Sequence, residues 1–258
     1  MVRRRRAAPT AGCPRNIRGT SMHKRLLQAT IFLILLLLSV VPAFAAGPDL
    51  GSSDALSELF RSREEGMPRI SAHRGGPLPG YPENCIETFE HAVTYGPVLI
   101  ECDVRMTADS VLILMHDETL DRTTSGEGEV AQMTWSDLLE LTLVDNLGFP
   151  TTYTIPTFRE AMRWARGRYI MTVDVKRGVP FQKVVQEIQQ EDAAGSAVVI
   201  TYSPDAAAIV HALDSTLMLS VPGTSRDVHD RLIAEGIPYH RMVAFVGTRV
   251  PDTDVIEM

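Results

Sequence analysis

The sequence predicts an α/β fold in which parallel strands and helices alternate to form a (β/α) barrel. From residue 68 onward, short β-branched runs alternate with helical segments, a pattern typical of parallel strands joined by crossover helices. Titratable residues directly follow several of these runs, and active sites of barrels are built at the carboxyl ends of strands. The chain has 258 residues, of which 45% are hydrophobic, so it can form one sizeable core.

Residues 1–45 predict an extension followed by an export signal. A basic segment at residues 23–25 precedes an apolar run from Leu26 to Phe44, which ends in small residues that place a cleavage site before Ala46. Met22 alone would make a conventional start for such a signal. Cleavage would give a periplasmic or secreted protein without a stable membrane span. The alternative is an uncleaved membrane anchor, because the apolar run approaches the roughly 20 residues that span a bilayer.

The charge distribution argues against nucleic acid as a partner. Residues 1–45 hold eight of the 25 basic residues and none of the 32 acidic ones, so the remainder carries 17 basic against 32 acidic residues, a formal charge of −15. A surface this acidic repels a nucleic acid backbone. A small phosphodiester remains compatible, because it needs only a local positive site.

The elements of residues 46–258 follow in order. Residues 46–67 predict a linker with a short amphipathic helix, and residues 68–258 predict the barrel domain. The expected strands are 69–73, 98–104, 168–175, 197–202, 216–221 and 242–247. The expected helices are 85–95, 157–166, 180–192, 204–213 and 225–235, with an extra hairpin and helix at 110–143. Because a closed barrel has eight strands, we expect either an open barrel or one truncated before its last strands.

Two predicted strands end in residues suited to catalysis. Ile70 leads through Ala72 into His73 and Arg74, followed by two glycines. Glu101 and Asp103 share one face of the next strand because strand side chains alternate. Two carboxylates this close resist joint ionisation, so a cation is expected with them, and hard oxygen ligands favour Mg²⁺ or Ca²⁺. The alternatives are a structural His73 and a carboxylate pair neutralised by Lys or Arg.

Two further strand ends add titratable groups. The apolar run 111–115 ends in His116 and Asp117, and Asp174 shares a face with Lys176 by the same two-residue period. Histidines can move protons, while a metal and cations can offset negative charge that develops at phosphorus. The set therefore predicts displacement at a phosphoryl group.

In their order and in their residues, these segments resemble the motifs of the glycerophosphodiester phosphodiesterase family in its exported, bacterial form. The resemblance extends most clearly from Ile70 to Lys176. The segments that carry it are His73-Arg74-Gly75, Pro82-Glu83-Asn84 with Thr88, Glu101-x-Asp103, His116-Asp117 through Arg122-Thr123-Thr124 to Gly128, Ile155-Pro156-Thr157 and Asp174-x-Lys176.

The resemblance implies a TIM-type barrel with a small insertion after the second strand, at residues 110–143. It implies metal-dependent hydrolysis of small glycerophosphodiesters, such as glycerophosphocholine, to sn-glycerol 3-phosphate and an alcohol. The roles it implies are His73 and His116 as acid and base, Glu101, Asp103 and Asp174 as ligands of Ca²⁺ or Mg²⁺, Arg74 and Lys176 as phosphoryl contacts, and Glu83 and Asn84 at the mouth.

The chain departs from the family pattern at two positions. Asp174 stands where the family usually has Glu, and Cys85 stands where Thr or Ser commonly follows Glu-Asn. The shorter acid predicts a tighter or shifted metal site, and the thiol is a poorer hydrogen-bond donor. Alternative functions are a lysophospholipase D, a cyclising phospholipase-type phosphodiesterase, and an inactive truncated relative.

Overall fold

The structure, a computed structural model, describes residues 50–62, 70–223 and 225–246, all within one compact unit, Gly47–Met258. The predicted export signal lies outside these residues. Across the described ranges, no helix is both long enough and apolar enough to span a bilayer.

Six parallel strands form the main sheet. They pair in the order β1-β2-β6-β7-β8-β9, and β3 adds to β2 in the antiparallel sense. The bounds are β1 Ile70–Ala72, β2 Val98–Met106, β3 Leu112–Leu114, β6 Ile170–Val175, β7 Ala197–Ile200, β8 Met218–Pro222 and β9 Met242–Phe245. Neighbours in the chain are neighbours in the sheet, as in a barrel. The six predicted strands are confirmed, and together they form a half-barrel.

Helices cover one face of this sheet. Their bounds are α2 Ile86–Val93, α4 Phe158–Ala165, α5 Phe181–Gln190, α6 Pro204–Leu213 and α7 Arg226–Ala234. Thr157 begins α4 with a capping box, in which Glu160 bonds back to the cap. Fully buried Phe89 and Phe158 pack with the outward-facing strand residues, including Cys102. This core leaves the carboxyl ends of the strands free to carry polar groups.

The segment predicted as a linker contains a docked helix, α1, Ser53–Arg61. Leu56 of α1 is fully buried against a cluster that includes Ile170 and Met218, the first residues of β6 and β8. Arg241 donates to the carbonyl oxygen of Ser53 at 2.9 Å. Helix α1 therefore covers the amino ends of the strands, opposite the predicted site.

The insertion between β2 and α4 is longer than predicted. It contains β3, a 3-10 turn at Val130–Gln132, α3 Trp135–Leu138, and a ribbon of β4 Thr142–Val144 and β5 Pro150–Thr154. The predicted boundary at residue 143 is wrong because β4 pairs with β5. The turn between them is held by Asp145, whose Oδ1 accepts hydrogen bonds from the backbone N–H groups of Leu147 and Phe149.

Candidate active site

Three buried carboxylates meet where the middle of β2 pairs with the carboxyl-terminal half of β6. Glu101 and Asp103 lie on one face of β2, while Cys102 is fully buried on the other, as predicted. Asp103 and Asp174 are register partners on the paired strands. The closest oxygens of the three side chains all lie within 4.8 Å of one another. The two-residue period of two adjacent strands thus produces a compact acidic triad.

Lys176 neutralises part of this triad. Its Nζ lies 2.6 Å from Asp103 Oδ1 and 2.6 Å from Asp174 Oδ2. Burial opposes the charge on Lys176, but hydrogen bonds to the two aspartates outweigh burial and raise its pKa. The sequence left open that a basic side chain neutralises these carboxylates. In this structure Lys176 does so for two of the three, Asp103 and Asp174.

Of the three acids, Glu101 has the negative charge that Lys176 compensates least. Burial and then the charge of Asp103 raise its pKa to about 7. Asp174 keeps Oδ1 buried with no hydrogen-bond partner among the described residues. A buried carboxylate oxygen without a partner and a carboxyl whose pKa is raised both favour the binding of a second cation beside Lys176. The donor set, three carboxylates, fits a hard divalent ion.

A strained turn carries the first histidine and the first arginine. His73–Gly75 forms a 3-10 turn directly after β1, with Arg74 in the left-handed region at φ 52°. The N–H of Arg74 donates to Glu101 Oε2 at 2.6 Å. Gly75 also has positive φ, and a Cβ there would lie 2.3 Å from Phe89 Cδ1. Because residue 75 is glycine, the turn can pack against α2. In this position the backbone N–H of Arg74 points at the triad.

Asn84 links the next loop to the same triad. Its side chain accepts from the N–H of Asp103 at 2.9 Å and donates to Asp103 Oδ2 at 2.7 Å. Its own N–H donates to the carbonyl oxygen of Arg74 at 2.9 Å. Asn84 has φ 56°, a conformation that Asn tolerates better than most residues. This amide fixes the orientation of Asp103.

A second network connects the mouth to His116. Glu83 accepts from Arg74 and receives a two-pronged contact from Arg122 at 2.8 and 2.9 Å. Arg122 also donates to Asp117 Oδ2 at 2.6 Å, and Asp117 Oδ1 lies 2.8 Å from His116 Nδ1. The hydrogen bond from Arg122 holds the pKa of Asp117 well below its usual range. Asp117 is thus an acceptor, which places a proton on Nδ1 and leaves Nε2 of His116 for exchange.

Direct contacts bring together seven of the nine predicted site residues, and His116 joins them through Asp117 and Arg122. His73 joins them only through the chain, because its exposed side chain makes no hydrogen bond within the described ranges. Arg122 and Asp117 had no predicted role, although both occur in the motif that begins at His116. The motif therefore contained both residues, but their spacing in the sequence does not predict that Arg122 contacts Glu83.

Comparison with protein families matches residues 73–226 to the model described as "Glycerophosphoryl diester phosphodiesterase family". This match covers more than half of the chain and all of the site. The chain therefore belongs to the glycerophosphoryl diester phosphodiesterase family.

Individual relatives agree with this assignment. A glycerophosphodiester phosphodiesterase of Caldanaerobacter subterraneus is 33% identical over 46% of this chain and 49% of its own length. One of Bacillus altitudinis is 30% identical over 60% of this chain and 66% of its own length. A solved glycerophosphoryl diester phosphodiesterase of Parabacteroides distasonis matches with TM-score 0.75 and 35% identity over 80% of this chain and 72% of that one. The chain thus spans about half to two thirds of these curated relatives.

Proposed function

We propose that this protein hydrolyses glycerophosphodiesters to sn-glycerol 3-phosphate and an alcohol with the help of a divalent cation. The observation that carries the proposal is the incompletely compensated triad of Glu101, Asp103 and Asp174 within the family-matched region. A divalent cation held by these carboxylates would offset the negative charge that develops on a phosphoryl oxygen. Ca²⁺ and Mg²⁺ both suit the oxygen donors.

The chain's own side chains supply the remaining chemistry. Lys176 and Arg74 border the triad and provide positive charge for phosphoryl oxygens. His116, oriented by Asp117, can exchange a proton at Nε2, and His73 is the second group available for proton transfer. Glu83 and Asn84 hold Arg74 and Asp103 in place. Rigid support of this kind preserves the alignment on which catalysis depends.

The test measures release of sn-glycerol 3-phosphate from glycerophosphocholine with Ca²⁺, Mg²⁺ or EDTA. We expect metal-dependent release in the wild type and a loss of about 10²–10⁴-fold in His116→Ala and in His73→Ala. His240→Ala is the matched control, because His240 lies next to β9 at the covered end of the strands, where its carbonyl oxygen accepts from Ser57. Full activity in both site variants would contradict the proposal, and a cyclic phosphate product would favour the cyclising alternative.

We also propose that the protein is exported. The basic residues before the apolar run at residues 26–44, and the small residues that end it, support this proposal. Expression of the full chain in a bacterial host, followed by N-terminal sequencing of the product, tests it. A start at Ala46 in the exported fraction is the expected result, whereas an intact signal in the membrane fraction would favour the anchored alternative.

A further inference from the structure

A polar cavity of about 330 Å³ is lined by residues that follow three of the site segments in the chain. Each of three site segments continues directly into its wall: Arg105 lies two residues beyond Asp103, Glu118 lies two beyond His116, and Arg177 follows Lys176. Because Arg105, Glu118 and Arg177 lie within two residues of Asp103, His116 and Lys176, the cavity lies close to the place where a phosphoryl group would bind. None of the groups invoked in the reaction above lines this cavity.

Arg105 is a half-buried basic side chain in the wall. It lies on the same face of β2 as the ligands Glu101 and Asp103, by the two-residue period. Its Nε donates to the carbonyl oxygen of His116 at 2.9 Å. Its two Nη atoms have no hydrogen-bond or ion-pair partner in the part of the chain that the structure describes. A half-buried guanidinium with unused donors favours a ligand that brings oxygen acceptors.

The other wall residues narrow the chemistry of the ligand. Glu118 and Glu129 offer acceptors, while Arg105 and Arg177 offer donors, so the wall suits a group that both donates and accepts. Among the described residues, no aromatic side chain lines the cavity, although aromatic faces are the usual means of binding a quaternary ammonium. The wall therefore fits hydroxyl groups better than choline.

We propose that this cavity is an alcohol subsite that binds a hydroxyl-rich leaving group, such as a second glycerol, and that Arg105 is its main hydrogen-bond donor. The inference rests on the proposed function, because the leaving group exists only if a glycerophosphodiester is cleaved. It makes Arg105 and Arg177 specificity-determining residues for the alcohol half of the substrate.

The test compares kcat/KM for three diesters whose alcohols are glycerol, choline and methanol. The wild type should prefer the glycerol diester to both others. In Arg105→Met, kcat/KM for the glycerol diester should fall about tenfold more than for the methanol diester, because methanol is too small to reach the subsite. This ratio separates contact with the alcohol from an effect through His116, since a displaced His116 would slow the methanol diester, which has the poorest leaving group, at least as much as the glycerol diester.

Two further variants complete the test. Arg177→Met removes an exposed wall cation that has no bond to His116, and it should change the same ratio in the same direction. Arg168→Met is the control, because Arg168 lies before β6 at the opposite end of the strand and donates to the carbonyl oxygen of Trp164. If both wall variants are active and the ratio of kcat/KM between the glycerol and methanol diesters is unchanged, the subsite proposal is overturned but the proposed function is not. Absence of turnover for all three diesters, with metal present, overturns the proposed function and the subsite with it.

Discussion

Lys176→Met should destabilise the protein far more without a divalent cation than with one. Lys176 Nζ makes 2.6 Å contacts with two buried carboxylates, Asp103 and Asp174. At an effective dielectric constant of about 20, each contact represents about 6 kcal/mol of Coulomb attraction, most of which is offset by lost hydration. Removing one partner of such a buried group costs about 3–5 kcal/mol, because charge is left uncompensated. A bound metal would supply that compensation instead.

The assay is urea unfolding of wild type and variant in EDTA and in excess Ca²⁺ or Mg²⁺. We expect the variant to lose about 3–5 kcal/mol of unfolding free energy in EDTA. Metal at 100 times the wild-type Kd stabilises the wild type by about 2.7 kcal/mol, and a variant that binds it about tenfold more tightly, because no ammonium competes, gains about 4.1 kcal/mol, so the deficit should shrink by about 1.4 kcal/mol. Lys183→Met is the matched control, since Lys183 donates to the carbonyl oxygen of Ser110 at 3.3 Å and, among the described residues, makes no contact with the triad. An equal deficit in EDTA and metal would refute the shared-cation reasoning.

Three other predictions concern the residues around the triad. Burial and the neighbouring Glu87 raise the pKa of Cys85 to about 12, and burial raises that of Cys102, so thiolate is scarce at pH 8. Neither thiol should react with iodoacetamide until the protein unfolds, as peptide mass spectrometry can show; rapid native labelling of Cys102 would contradict the packing. Cys85→Thr should raise unfolding free energy by about 0.5–1 kcal/mol in urea titrations, because Cys85 begins α2 without a capping bond; a loss would mean that packing dominates. Arg122→Met should lower kcat about tenfold with little change in KM, since Asp117 loses its partner; unchanged kcat would show that Asp117 needs no support.

The sequence predicts the main sheet well because its strands are buried and regular. Alternation along β2 correctly separates Glu101 and Asp103 from Cys102, and the same rule joins Asp174 to Lys176. Strand β5 was not predicted, because it forms an exposed two-stranded ribbon whose polar residues give no core-facing pattern. The helix within the predicted linker was expected, but its docking depends on Leu56 meeting strands far along the chain.

The sequence predicted which residues would cluster at the site, but not the hydrogen bonds that join them. Motif order identifies the residues, yet the left-handed backbone at Arg74 and Asn84 depends on tertiary contacts with Glu101 and Asp103. The bridge from Glu83 through Arg122 likewise joins side chains 39 residues apart in the chain. Such links follow from how the loops lie over the strands, and no local pattern encodes this.

The strand order implies a particular sequence of assembly during synthesis. All nine predicted site residues lie between His73 and Lys176, on β1, β2, β6 and their loops, which are adjacent in the sheet. Chains are made from the amino end, and the entropy cost of closing a loop grows only slowly with its length. The acidic triad and Lys176 can therefore meet while α5 to β9 are still being made. Stability comes later, when residues such as Val199 and Leu219 complete the core, so the active geometry can form before the fold that stabilises it.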